Sequence, residues 1–163
     1  MFVMLLALVA VMFVAMPAMA TEVAVVDVDK IFTESKHAKA AAAHLTKVQS
    51  TLQQGMDKLL AMHKNDTDKP EVQGIVLEAQ QTLNTQLTIE AEKVDMIMSD
   101  LLTQAVKNWR KANSKYEVVM SSRLVLDFAG AVDVTAGVMK EFEKLTPKFP
   151  DMPTVQVTGP DGK

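Results

Sequence analysis

Apolar residues recur every seven positions along the first half of the chain, and this repeat constrains the fold more than any other feature. Residues seven apart share one face of a helix, and a second set three positions further on completes a coiled-coil seam. The pattern predicts one helix from about residue 32 to residue 63 or 64. Its apolar stripe consists of Ile31, Ala38, Ala41, Leu45, Val48, Leu52, Leu59 and Met62.

A polar segment at residues 65–70 ends this first helix and starts a second. Asp68 is predicted to cap the second helix, with Pro70 in its first turn, where a missing N–H costs nothing. From Val72 onward a new apolar stripe repeats at about 11 residues per three turns, which suits a nearly straight helix. Residues 33–114 are therefore predicted to form an arm of two long antiparallel helices joined by a tight loop.

Short strands are predicted on both sides of the arm. The Val-rich run at residues 22–28 fits a pleated sheet and gives a first body segment at residues 21–32. Beyond the arm, residues 115–146 complete the body, with strands at 116–120 and 124–128 and a helix at 136–145. Prolines recur after Thr146, so residues 147–163 are predicted to be a flexible, Pro-rich tail.

The predicted fold class is α+β, a long antiparallel α-helical hairpin on a small β-strand body. Three short strands and one small helix bury little apolar surface, and a two-helix hairpin has only one thin seam. Small cores of this kind usually need association between chains. The sequence therefore predicts that the body forms by oligomerisation.

Residues 1–20 contain no charged side chain and end in the small-residue pattern Ala18-Met19-Ala20. This is typical of a secretory signal peptide with cleavage between Ala20 and Thr21. An uncleaved membrane anchor is the alternative, because about 20 apolar residues can span a bilayer. The net charge of −3 argues against nucleic acid as the main partner, and the lack of cysteine excludes thiol catalysis.

Three groups of residues invite a sharper chemical interpretation. Asp27 and Asp29 follow a strand, as in phosphatases that use an aspartate nucleophile, but the Gly-Thr expected next is replaced by Lys30-Ile31. His37 and His44 are seven residues apart, which does not suit joint metal ligation, so both are predicted to be solvated. No catalytic, metal or cofactor site is predicted, and the chain is not expected to be an enzyme.

The third group surrounds Trp109 at the base of the arm. Lys107, Arg110 and Lys111 flank this residue and could form a patch for anionic lipid or for a docking partner. Trp109 lies on the apolar stripe, however, and an indole in that position is more often buried. We therefore expect Trp109 to be buried where the arm meets the body, with the cations solvated beside it.

Two segments resemble the OmpH/Skp family of periplasmic chaperones. VAVVDVDKIFTESKHAKAAAAHL at residues 23–45 is similar to that family's opening strand and first arm helix. YEVVMSSRLVLDFAGAVDVTAGVMKEF at residues 116–142 is similar to its closing segment, although Ser121 and Gly130 replace residues that are commonly Asp and Pro. The arm between the two segments matches in periodicity alone.

The resemblance implies a homotrimer whose strands form a shared body with helical arms around a cavity. It implies that Thr135 caps the final helix and that the body core is built by Val23, Val25, Val118, Val119, Val125 and Leu126. Peripheral contact with membrane or lipopolysaccharide is a further expectation from the family. Family members tend to have cationic arms, whereas residues 33–112 here hold ten basic and ten acidic residues.

The function implied is ATP-independent holding of unfolded outer-membrane β-barrel proteins in the periplasm. Methionine adapts to many apolar sequences, so the candidate client contacts are Met56, Met62, Met96 and Met98. Met62 and Met98 lie on the apolar stripes and are at least as well explained as seam residues. A different class of function stays open, an envelope scaffold or assembly protein that binds one specific partner through its coiled-coil hairpin and is tethered through residues 1–20.

Overall fold

A computed structural model describes residues 22–126 and 130–157 of the chain. These residues form a mixed α and β structure, which confirms the α+β prediction in its coarse form. The predicted signal segment and its cleavage point between Ala20 and Thr21 lie outside the described residues. The elements in chain order are β1 (Glu22–Val26), α1 (Val28–Glu34), α2 (Lys36–Met62), α3 (Pro70–Ala112), β2 (Tyr116–Ser121), β3 (Val132–Asp133) and α4 (Thr135–Lys144).

The three strands make a small parallel sheet in the order β2-β1-β3. Val23 pairs with Val118 and Val25 with Met120, while Ala24 pairs with Val132 on the other side. Parallel neighbours cannot be joined by a tight turn, because the chain must return to the starting end of the sheet. Helices α1 to α3 together make that return between β1 and β2.

The first helical stretch is divided in two at Ser35. Asp27 caps α1, its carboxylate accepting from the Lys30 N–H at 2.9 Å, so the helix starts at residue 28 rather than 32. Ser35 has an extended ψ of 155°, and its hydroxyl accepts from the Ala38 N–H at 3.1 Å to cap α2. The prediction of one continuous helix was wrong here, because a serine side chain can replace the backbone partners of a helix start.

Helices α2 and α3 follow each other through residues 63–69 and pack together. Pro70 is the first residue of α3, as predicted, but the cap is Lys69 and not Asp68. Lys69 makes no side-chain cap hydrogen bond, and its ammonium instead pairs with Asp66 at 2.7 Å. Helix α3 ends at Ala112, close to the predicted end near residue 114.

The strand predicted at residues 124–128 is wrong over its described part. Residues 122–124 form a 3-10 turn, and Val125 and Leu126 belong to no strand, while 127 and 128 lie outside the described residues. The Ser121 hydroxyl accepts from the Arg123 N–H at 3.4 Å, and the Arg123 guanidinium pairs with Asp29. These bonds hold the turn at residues 122–124, and the predicted strand does not form at Val125 and Leu126.

The core lies where the covered face of the sheet meets α1, α3 and α4. Phe142, Ile31 and Val138 are fully buried, and α4 begins at Thr135, one residue before the predicted start. The remaining members of this cluster are Ala24, Val26, Ala41, Val94, Met98, Leu101, Ala105, Trp109, Tyr116 and Val134. No helix within the described ranges combines the length and the apolarity needed to cross a membrane.

Candidate binding surface

The two long helices expose large apolar side chains along their length. Met96 is 63% exposed and Leu77 is 57% exposed, whereas a side chain in the helix seam such as Val48 has no exposure. Contiguous exposed apolar surface often marks an interaction site. The other exposed apolar side chains of α2 and α3 are Leu60, Met62, Ile75 and Ile89.

Open grooves run between α2 and α3 beside these side chains. One groove of about 340 Å³ has an apolar floor that includes Leu52, Leu83 and Leu87. Side-chain amides such as those of Gln49 and Gln80 share its lining, and amides can both donate and accept hydrogen bonds. A groove with this lining can contact apolar side chains and also satisfy the backbone groups of an extended peptide.

The four predicted methionine contacts fall into different environments. Met96 and Met62 are exposed, at 63% and 47%, and are available to a partner. Met56 is half-buried and lines two neighbouring grooves. Met98 is only 5% exposed and belongs to the core, so its prediction as a client contact was wrong. Its position on the seam of α3 explains the difference.

The C-terminal segment after α4 lies against α2. Residues 146–157 contain no helix or strand, yet the Phe149 ring stacks on His44 with centroids 5.1 Å apart. Further along, Val155 and Val157 line a groove of about 310 Å³ with Gly55, whose backbone Val155 contacts directly. The sequence predicts a flexible tail at residues 147–163, and its described part is instead seated on α2.

His37 and His44 are buried, which corrects the prediction that both are solvated. His37 is 6% exposed and meets the Phe142 ring edge-on at 5.3 Å, and His44 is 9% exposed. The Nε2 atoms of both imidazoles have no hydrogen-bond partner in the described chain. The seven-residue spacing places them on one helical face, and α4 and the C-terminal segment cover that face.

Within residues 22–126 and 130–157, the small sheet leaves its second face largely uncovered. Ala24 and Val26 are buried, whereas Val23 and Val25 on the opposite face are only half-buried. Their partners on β2, Val118 and Met120, are exposed.

The six predicted body residues are therefore divided among three environments. Val23, Val25 and Val118 lie on the uncovered face, and Val119 packs against the core. Val125 is half-buried outside the sheet and Leu126 is fully exposed, so neither is a core residue of this chain. Beside the sheet, a groove of about 490 Å³ is lined by β2, by α3 and by Val26 and Val28.

Thr135 does not cap α4, as the resemblance implied, but is its first residue. The cap position is Val134, and the Asp133 carboxylate accepts hydrogen bonds from the Thr135 N–H at 2.8 Å and its hydroxyl at 2.6 Å. These hydrogen bonds lower the pKa of Asp133, because they favour the charged carboxylate. Thr135 Oγ1 also accepts from the Asp27 N–H at 2.8 Å, which ties α4 to the end of β1.

The two aspartates of the phosphatase-like motif have structural partners. Asp27 caps α1 and Asp29 pairs with Arg123, so both carboxylates stabilise the junction between β1, α1 and the 3-10 turn. Within residues 22–126 and 130–157, no group of three or more His, Cys, Asp or Glu side chains is placed to hold a metal ion.

Trp109 is buried where α3 meets the body, as predicted. Its ring lies 5.3 Å from that of Tyr116, and a Cβ added at Gly137 would collide with the indole. Lys107 and Lys111 are exposed beside it. Arg110, also exposed, donates from Nη1 to the Glu117 carbonyl at 3.2 Å.

Glu90 is a buried charged residue that the sequence-based prediction did not single out. It is 3% exposed within α3, where one carboxylate oxygen accepts from Lys93 Nζ and from Gln86 Nε2, both at 2.8 Å. The other oxygen has no partner in the described chain. All three residues lie on one helix at spacings of three and four, which is the signal that predicts such a cluster.

Comparisons of the chain with models of protein families, with curated proteins and with solved structures find no match.

Proposed function

We propose that this chain is an ATP-independent holding chaperone of the OmpH/Skp type, which binds unfolded outer-membrane proteins in the periplasm. The observation that supports this proposal best is the set of large apolar side chains exposed on α2 and α3, with Leu77 and Met96 more than half exposed. A holding chaperone needs apolar surface that stays accessible without making the protein itself aggregate. Interspersed polar side chains meet this second requirement.

In this proposal α2 and α3 form an antiparallel hairpin arm. Their sequential order, the short connection at residues 63–69 and the grooves lined jointly by both helices support the arrangement. The side chains buried between them include small ones, and several grooves stay open along the pair. A loosely packed hairpin of this kind can adjust its grooves to segments of different sequence.

We propose further that the body completes its core by forming a homotrimer. The uncovered sheet face holds Val23, Val25, Val118 and Met120, and a single chain leaves this apolar face in contact with water. Covering it in an oligomer would remove that unfavourable contact. Light scattering of purified residues 21–163 tests the number of copies, with Val118→Asp as the disrupting variant and Glu117→Asp, on the same strand, as the control. A monomer at micromolar concentration would contradict the trimer.

The function is tested by dilution of an outer-membrane β-barrel protein from urea, without ATP, in the presence of residues 21–163. We expect turbidity to be suppressed at a few copies of the chaperone per client, in the micromolar range typical of such encounters. Leu77→Asp and Met96→Asp should weaken suppression, whereas Glu92→Gln at an exposed position of the same helix should not. Unchanged aggregation, or tight binding to a single helical protein alone, would refute the holding function.

Export is part of the proposal, because the proposed clients are found in the periplasm. Residues 1–20 would direct export, and cleavage after Ala20 would release the mature chain. Mass spectrometry of the exported protein should give an N-terminus at Thr21. A retained residue 1 would instead support the membrane-tethered scaffold.

A further inference from the structure

The C-terminal segment is seated on α2 at Gly55 and forms one wall of an open groove. Val155, Gln156 and Val157 line the groove of about 310 Å³ together with Gly55, Leu59 and Ile75. The segment has no helix or strand of its own over residues 146–157. It is held by side-chain contacts along α2, including the stacking of Phe149 on His44.

Gly55 has no side chain and therefore leaves room for the C-terminal segment on α2. A Cβ at this position would collide with the Val155 side chain and would lie 3.0 Å from the Val155 Cβ. Glycine inside a helix costs about 1 kcal/mol relative to alanine, and at residue 55 the contact with Val155 offsets part of this cost. The buried face of α2 that includes His37, His44 and Gly55 has spacings of seven and eleven residues, which keep these positions aligned.

The seated segment has the pattern of a β-strand from a membrane barrel. Thr154, Val155, Gln156 and Val157 alternate polar and apolar side chains, with both valines half-buried and both polar residues exposed. Strands of outer-membrane barrels alternate polar and apolar residues with the same period of two. An extended client strand would present its apolar side chains to the groove at the same spacing.

From this we propose that the groove at Gly55 is a binding site for extended segments of alternating polar and apolar residues, and that the C-terminal segment of the chain is its displaceable internal occupant. The inference rests on the holding function proposed above and names the part of the client that is recognised. The tail competes with clients, and its release exposes the groove.

The tethered tail gives the empty chaperone a way to protect its apolar groove. A short flexible tether produces an effective concentration in the millimolar range, so a weak segment can still fill the site. A client then binds with an affinity reduced by the fraction of chains whose groove is free. In the proposed trimer, a client with several such segments can displace the tail of one chain while the other two chains retain the client.

The test uses Val155→Asp, which places a charge against the apolar groove beside Glu78, and Thr154→Asp as a matched control at an exposed tail position. The probe is a fluorescent peptide with the sequence of residues 146–157, and its anisotropy gives the affinity. We expect Val155→Asp to bind it about tenfold more tightly than Thr154→Asp, because the groove is freed. Equal affinities in the two variants would overturn the proposal.

Trypsin cleavage after Lys148, followed by mass spectrometry, provides a second measurement. Cleavage should be faster in Val155→Asp than in Thr154→Asp, and equal rates would show that the tail is not held by this groove. Gly55→Val should also release the tail, but it should not bind the peptide because its side chain fills the site. Peptide binding by Gly55→Val as tight as by Val155→Asp would overturn the assignment of the groove.

These outcomes are separable from failure of the holding function. Peptide binding and cleavage of the tail are measured without any client, whereas suppression of aggregation tests the function itself. If Val155→Asp is poorly folded by circular dichroism, Val155→Ser keeps the test valid, since it removes the apolar contact without adding charge.

Discussion

The backbone N–H of Asp27 donates to the hydroxyl of Thr135 at 2.8 Å, across 108 positions of sequence. Asp27 follows β1 and caps α1, while Thr135 begins α4 and also binds Asp133. One hydroxyl therefore joins the first described segment of the chain to α4. This hydrogen bond involves neither α2 nor α3, so it gives a local test of how the two flanks of the chain come together.

Replacing Thr135 with Val should destabilise the protein by about 1–3 kcal/mol, because the Asp27 N–H loses its acceptor in a partly buried site. Urea unfolding followed by circular dichroism measures the change. Thr33→Val is the matched control, since Thr33 is exposed and its hydroxyl bonds only within its own helix region. Its effect should be within about 0.5 kcal/mol. Equal effects of the two substitutions would contradict the role of Thr135.

Asp133 should make stability depend on pH in the acid range. Its pKa in the folded protein is lowered from the usual 3.8, first by the Thr135 hydroxyl and then by the Thr135 N–H. A lowered carboxyl pKa contributes stability that is fully present above 3.8 and is lost as the pH falls through the lower folded value. The deficit of Asp133→Asn relative to the natural chain should therefore be largest near neutral pH and shrink below this value.

Urea midpoints of both proteins between pH 2 and pH 7 measure this deficit. The dependence should be largely absent when Thr135→Val is already present, because the main cause of the lowered pKa is then missing. A deficit that is constant with pH would contradict the hydrogen-bonded carboxylate.

Two helical glycines should respond in opposite directions to alanine. At Gly137 a Cβ would lie 2.9 Å from Trp109 Cδ1 and still closer to the indole nitrogen, so Gly137→Ala should destabilise by about 1–3 kcal/mol. At Gly74 no atom lies within 4 Å, so Gly74→Ala should stabilise α3 by about 1 kcal/mol. Thermal unfolding and Trp109 fluorescence measure the pair. A stabilising Gly137→Ala would refute the close packing of Trp109 in α3 against α4.

Alanine substitutions of Met96 and Met98 should affect client binding and stability separately. Met98 is buried in the core, so Met98→Ala should cost about 2–5 kcal/mol of stability. Met96 is 63% exposed, so Met96→Ala should change stability by less than about 0.5 kcal/mol while weakening suppression of client aggregation. Denaturant unfolding and the turbidity assay are run on both variants. Full suppression by Met96→Ala would remove Met96 from the contact surface.

The sequence determined the local elements that have a strong apolar periodicity or a residue that marks the start of a helix. The apolar stripes predicted both long helices, Pro70 marked the start of α3, and the Val-rich run predicted β1. Trp109 was correctly assigned to the buried junction, because it lies on the stripe of a long helix. These features depend on neighbours within a few turns, so a single sequence contains the information.

The tertiary structure decided which of several compatible local states each remaining segment adopts. Ser35 divides the first helix at a point where the Glu143 carboxylate of α4 accepts from the Lys36 N–H. Val125 and Leu126 form no strand, and the neighbouring Arg123 pairs with the distant Asp29. His37 is buried against Phe142 of α4 and His44 against Phe149 of the C-terminal segment, and Gly55 has a role only once Val155 contacts it. Contacts between residues about 100 positions apart leave no periodic trace in the sequence, so they had to be seen in the folded chain.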